Sequence, residues 1–244
     1  NVTVDLTSQL DNLSKPPDMS DLIREIRALP DAGTIDAFYP VTGSAGLPPE
    51  HLSEQGLAEL ALDSDGNYYF QTTIFAMDDE TFARYRGEAG LSNDVRQSGD
   101  PVQAILVAPV DTDLRGGIRG ELAATQIAPG YRLSTKLYGV YDGHGEPYHS
   151  MPVEVSAITG TVPSVTVGSV RLNRMVLSAR LGQWQAYLSS LPETTRLDPV
   201  SYMLYADSPD PASFYTAVET LDSPDTTAVY VYNTTDYVRR ANSA

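Results

Sequence analysis

The chain has 244 residues, 41% hydrophobic and 20% charged, enough to bury a core in one large domain or two smaller lobes. Its 32 acidic and 16 basic residues leave a formal net charge of −16, which argues against nucleic acid or an anionic membrane surface as the target, since both are held mainly by Lys and Arg. Cysteine is absent, so disulfides, thiolate catalysis and Cys-ligated zinc are excluded, and no apolar run approaches the roughly 20 residues needed to cross a bilayer.

The opening "NVTVDLTSQL" lacks the basic and apolar regions of a signal peptide and reads as the start of a piece of a longer protein. Val2, Val4 and Leu6 alternate with polar residues, predicting a half-buried strand. After the turn "SKPPD", Ser20 is placed to cap a helix with Leu22, Ile23, Ile26 and Leu29 on one face, which Pro30 and Gly33 end. "TIDAFYPV" is the next strand; residues 42 to 66 read as a polar connection with a short helical piece from Leu52 to Leu60. "NYYFQTTIFAM" is the strongest strand of the first half. It runs into a helix capped by Asp78, with Met77 and Phe82 spaced as a hydrophobic staple, Phe82, Tyr85 and Ala89 on one face, and Gly90 as its stop.

The middle of the chain is β-rich. "AILVAPV" predicts a buried strand, and "YRLSTKLYGVYDGHGEPYHSMPVEVSAIT" a hairpin turning at Asp142-Gly143 and Gly145. "VRLNRMVLSA" is a further strand, followed by a short helix marked by Leu181, Trp184, Leu188 and Leu191. The end repeats the form of the beginning. "VSYMLYA" is a strand; Asp210 caps a helix with Pro211 at its first position and Phe214, Ala217, Val218 and Leu221 on its buried face; "TAVYVYN" closes, and "TTDYVRRANSA" begins another helix. Two strand–helix–strand units therefore flank a β-rich insert, predicting an α+β fold of two lobes.

Candidate chemistry is sparse. His144 and His149 lie near Asp142 and Glu146, residue types able to bind a divalent metal, but the spacing matches no helical zinc motif and reads as a solvated hairpin tip. The carboxylate groups Asp78-Asp79-Glu80, Asp63/Asp65 and Asp111/Asp113 are adjacent along the chain, which does not make an acid–base pair. Ser44 lacks a nucleophile-elbow frame, and no phosphate loop, dinucleotide fingerprint or calcium loop occurs. The expectation is a non-catalytic domain with no cofactor. Tyrosine is the compositional oddity, with 15 copies against 5 Phe. Tyr131, Tyr138, Tyr141 and Tyr148 gather in the mid-chain hairpin as a candidate partner surface, though strand propensity explains most tyrosines.

"FQTTIFAMDDETFARYRGEAGLS" followed by "GDPVQAILVAPV" resembles the extracytoplasmic domain of FtsX-like (MacB-type) ABC transporter permeases, especially those of Gram-positive bacteria. "PVEVSAITGTVPSV", "MVLSARLGQWQAY" and the closing "VSYMLYADSPDPASFYTAVETL…AVYVYNTTDY" are similar to later landmarks of that family, so the resemblance runs from about Ile23 onward. It implies a membrane-proximal lobe from residues 1–75 and 198–244 and an inserted distal lobe of 76–197. Asp78, Phe82, Tyr85 and Gly90 become fold landmarks where the chain passes between lobes. It also implies a place on the extracellular face of the plasma membrane within a multi-pass protein, and as partners a cytoplasmic ABC ATPase, a second permease half, and an extracellular peptide, lipoprotein or protein. The rival reading is a freestanding secreted binding module using the Tyr-rich hairpin.

Overall fold

The structure, a computed structural model, describes residues 1–10, 13, 15, 17–51, 62–91, 102–107, 127–141, 148–163, 175–198 and 201–234. The expected helix at 52–60, the hairpin tip with Asp142, His144 and Glu146, the pair Asp111/Asp113 and the final helix lie outside them. The described elements are β1 (Val2–Ser8), α1 (Ser20–Arg27), β2 (Thr34–Leu47), β3 (Tyr68–Met77), α2 (Asp79–Glu88), β4 (Val102–Val107), β5 (Arg132–Leu137), β6 (Val140–Tyr141), β7 (His149–Thr159), β8 (Met175–Arg180), α3 (Leu181–Ser190), β9 (Arg196–Leu197), β10 (Ser201–Asp207), α4 (Pro211–Glu219) and β11 (Thr227–Asn233). The class is α+β.

The two flanking units interleave. β1 pairs antiparallel with both β10 and β11, and β10 pairs antiparallel with β2, giving the order β11-β1-β10-β2. Each unit's two strands are thus parallel, with a strand of the other unit between them, which is the split βαβ arrangement of ferredoxin-like folds. α1 packs against β2 and α4 against β1 and β11. Val4, Leu6, Ile35, Leu204 and Ala206 join Ile23, Ile26, Phe214 and Val218 in one core.

The insert closes on itself. β2 pairs with β3, β3 with β8, β8 with β4, β4 with β7, β7 with β5, and β5 returns to β2. The result is a six-stranded barrel, in which closure removes the edges an open sheet leaves. Its interior alternates along every strand: Ala45 and Leu47, Phe70 and Ile74, Ala104 and Leu106, Leu133 and Leu137, Val153 and Val155, Leu177 and Ala179 are all buried in the main cluster. Between Ala104 and Ile105 the β4–β7 register jumps from Val155 to Ala157; the bulged Ser156 donates its hydroxyl to the Ala104 carbonyl at 3.1 Å.

β2 belongs to both halves. Residues Thr34–Phe38 pair with β10 and Gly43–Gly46 with β5, so "TGSAG", expected to be connection, is strand. Glycine allows this, because a Cβ on Gly43 would overlap the Lys136 carbonyl oxygen of β5. The partner exchange also accommodates a proline in mid-strand. The Ala37 carbonyl faces the β3 side and the Thr42 carbonyl the β5 side, so by alternation Pro40 directs its nitrogen into the gap between β10 and β5, where no ladder donor is needed. β3 runs through the expected lobe boundary after residue 75, ending at Met77.

Three local expectations change at the helices. Ser20 is the first residue of α1 rather than its cap, and its backbone N–H donates instead to Asp18 Oδ1 at 2.9 Å. A bond from the Ser20 hydroxyl, and after it that backbone bond, holds the Asp18 carboxyl below its ordinary range. Ala89 is the C-cap of α2, half-buried, while Phe82 and Tyr85 carry its buried face. Leu191 falls just past α3 in extended conformation. The Asp210 cap holds, accepting from the Ser213 N–H at 3.1 Å.

Candidate functional site

α2 is the element that joins the open sheet to the barrel. Asp78 Oδ1 accepts from the Thr81 N–H at 3.0 Å, and Asp78 Oδ2 forms an ion pair with Arg27 from the last turn of α1. Phe82 and Tyr85 are buried with Met77, Phe75, Ile105 and Val107 of the barrel exterior and with Phe38 and Met203 of the open sheet. The staple spacing of Met77 and Phe82 thus corresponds to a real packing cluster. Gly90 takes φ +66°, the left-handed conformation a helix end commonly needs.

The polar side of α2 completes β2. Beyond Phe38↔Met77 the β3 strand stops, which exposes a strand edge whose backbone groups need partners. Side chains supply them: Thr81 Oγ1 accepts from the buried Ala37 N–H at 2.8 Å, and Arg27 and Arg84 both donate to the Ile35 carbonyl, at 3.0 and 2.9 Å. Arg84 also pairs with Asp36 at 2.7 Å. Burial works to lower the Arg84 pKa, but the Asp36 and Glu80 carboxylates outweigh it and raise it. The shallow cleft lined by Asp36, Thr81, Arg84, Tyr85 and Glu88 encloses about 10 Å³, on the order of one water. The side chains lining it serve as a structural joint between α2 and β2.

On the barrel's outer face a second group centres on Lys136 of β5. Its ammonium lies 3.9 Å from the Tyr69 ring centroid and 4.8 Å from that of Tyr148, and it forms an ion pair with Asp63. The Tyr69 hydroxyl donates to Asp65 and lies 3.2 Å from Ser134 Oγ. The Lys136 contact holds the Asp63 carboxyl below its usual range. Burial pulls the Lys136 pKa down, yet the carboxylate and the flanking phenols together raise it. Burial likewise raises the Tyr69 phenol. Lys136, Asp63, Asp65 and the Tyr69 hydroxyl are partnered with one another, so the arrangement locks the 63–69 turn against β5.

The four tyrosines of the candidate surface occupy different surroundings. Tyr148 contributes to the Lys136 group. Tyr138, 49% exposed, lies with its hydroxyl 3.4 Å from Ser44 Oγ. Tyr141 donates to Asp198 at 3.0 Å, and Tyr131 packs against the edge of the main core. His149 Nε2 lies 2.7 Å from the Tyr187 hydroxyl on α3. Among the described residues no three His, Cys, Asp or Glu side chains gather in a metal-binding group, and no helix is long and apolar enough to cross a membrane. Sequence reasoning missed Lys136 and Tyr69 as a pair. The only signal was that Lys136 is one of two lysines, Lys15 and Lys136, in the chain.

No family model matches the chain, and no curated protein matches it. Among solved structures, the chain is similar to the extracellular domain of the noncanonic ABC-type transporter YknZ from Gram-positive bacteria, at 11% sequence identity and a TM-score of 0.42, over 93% of this chain and 99% of that one.

Proposed function

We propose that this chain is the extracytoplasmic domain of an FtsX-like ABC transporter permease, carrying movement of its membrane helices outward to a peptide, lipoprotein or partner protein. The sequence resemblance motivates the reading, and one structural observation carries it. β1 begins and β11 ends at the same end of the sheet, Val2 opposite Asn233, with the Thr234 N–H donating to the Asn1 carbonyl at 3.2 Å. A domain held at both ends by helices of one membrane needs its two connections side by side, and the interleaved βαβ units deliver that. The lobe of 1–75 and 198–244 then faces the membrane and that of 76–197 points away, with β2 and β3 as shared strands. ATP binding and hydrolysis belong to a separate cytoplasmic subunit, and a second permease half completes the transporter.

The test uses the absence of cysteine from the chain. In the parent protein, Tyr138→Cys is expected to react with a membrane-impermeant maleimide on intact bacteria. Labelling only after the cells are opened would place the domain on the cytoplasmic side and overturn the proposal.

A further inference from the structure

β11 forms the open margin of the nine-stranded sheet, and among the described residues no strand pairs with its outer side. Which of its backbone groups face outward follows from the ladder. Thr234 donates to the Asn1 carbonyl and Gln9 to the Thr226 carbonyl, so even-numbered residues of β11 face β1. In this antiparallel register the Val4↔Val231 and Leu6↔Val229 pairs are the non-hydrogen-bonded ones. The N–H and C=O of Val229 and Val231 therefore point away from the sheet.

Folded proteins usually guard such an edge with lysine, proline, a bulge or an inward charge. β11, "TAVYVYN", has none of these and is built from strand-favouring residues, with Tyr230 47% exposed. An extended polypeptide is the ligand whose donors and acceptors match a row of strand amides. Charge narrows its nature. β1, β10, α4 and β11 contain no Lys or Arg, whereas Asp210 caps α4, which packs against β11, Glu219 ends that helix, Asp222 and Asp225 lie between it and β11, and Asp5 stands directly across from Tyr230. Two copies of so acidic a margin repel each other, while a segment bearing Lys or Arg is attracted.

We infer that the outer edge of β11 is a strand-addition site for an extended basic segment of another polypeptide. The inference stands on the fold and its charge, and holds whether or not the domain belongs to a permease. The ladder is formed through Val229 and Val231, Tyr230 packs against alternate side chains of the incoming strand, and the surrounding carboxylates meet its basic groups.

The test is amide hydrogen exchange on the 244-residue chain with a synthetic nine-residue peptide alternating lysine and valine, and with a glutamate–valine counterpart. The expected result is slowed exchange at Val229 and Val231 with the basic peptide only, diminishing as salt is raised. Val231→Pro, which removes an outward donor without touching the β1 ladder, should weaken titrated affinity about tenfold. Should that variant fail to fold, exchange at the two valine amides of the unsubstituted chain still decides. Equal effects of both peptides, protection elsewhere only, or protection that grows with protein concentration in the absence of peptide, which would mark a second copy as the occupant, each overturn the inference.

Discussion

Two threonine-to-valine changes, nearly identical in volume, separate the two roles a buried hydroxyl can play here. Thr81 Oγ1 accepts from the Ala37 N–H at 2.8 Å, a donor on a residue 1% exposed, and lies 3.4 Å from Arg27 Nη2. Thr81→Val leaves that buried N–H without its acceptor. An orphaned buried donor costs about 1–3 kcal/mol, and for a chain of this size each kcal/mol moves Tm by about 2–4 °C; a loss near 2 kcal/mol therefore lowers Tm by roughly 4–8 °C. Thr73, 4% exposed on β3, is the matched control, because its hydroxyl is buried with no hydrogen-bond partner among the described residues. Thr73→Val removes a polar atom that gains nothing by being there, so Tm should stay level or rise slightly. Thr81→Ser keeps the acceptor and should recover most of the loss. Calorimetry on the three variants at one protein concentration measures this directly. Equal drops for Thr81→Val and Thr73→Val, or none for Thr81→Val, would refute the view that α2 completes the edge of β2.

Gly43→Ala should open the barrel at the β2–β5 seam, since the new Cβ meets the Lys136 backbone. Overpacking of this kind costs about 1–3 kcal/mol or more, and faster exchange confined to β5 amides would locate it. Trp184, the single tryptophan, is 1% exposed on α3; Trp184→Ala should cost about 3–5 kcal/mol by denaturant titration, and the native chain should show blue-shifted emission that moves to the red on unfolding. Acid should destabilise the protein through Asp63. Its folded pKa is depressed by Lys136, so its contribution is present above the unfolded value near 3.9 and is lost as pH falls through the lower folded value. Lys136→Met should shrink that acid-dependent loss in a Tm-versus-pH series, and an unchanged slope would refute the pairing. Isothermal titration with ATP should give no saturable binding, because nucleotide belongs to another subunit in the proposed assembly; saturable heat would contradict that division.

The strand–helix–strand units were legible because local signals and tertiary role agreed. Alternation in β1, the Asp210-Pro211 start of α4 and the Asp78 cap each specify an element within a few residues. Interleaving of the units was not legible, since which strand lies between which depends on contacts some 200 residues apart. "TGSAG" misled for a physical reason: glycines that usually mark a loop here permit close approach of β5. The Lys136 group was hidden because Tyr69 and Lys136 come from different strands, and only the β2–β5 closure brings them together. Of the tyrosines grouped along the hairpin, the structure brings Tyr148 to Lys136 and turns Tyr131 toward the core, because alternation sends neighbouring side chains to opposite faces.

The most direct test of the central claim is to read the parent gene on both sides of this chain. The account predicts an apolar run of roughly 20 residues shortly before Asn1 and another shortly after Ala244, with further spans downstream. A cleavable signal peptide before Asn1 and no apolar run after Ala244 would contradict it, and would make the domain a freestanding secreted module.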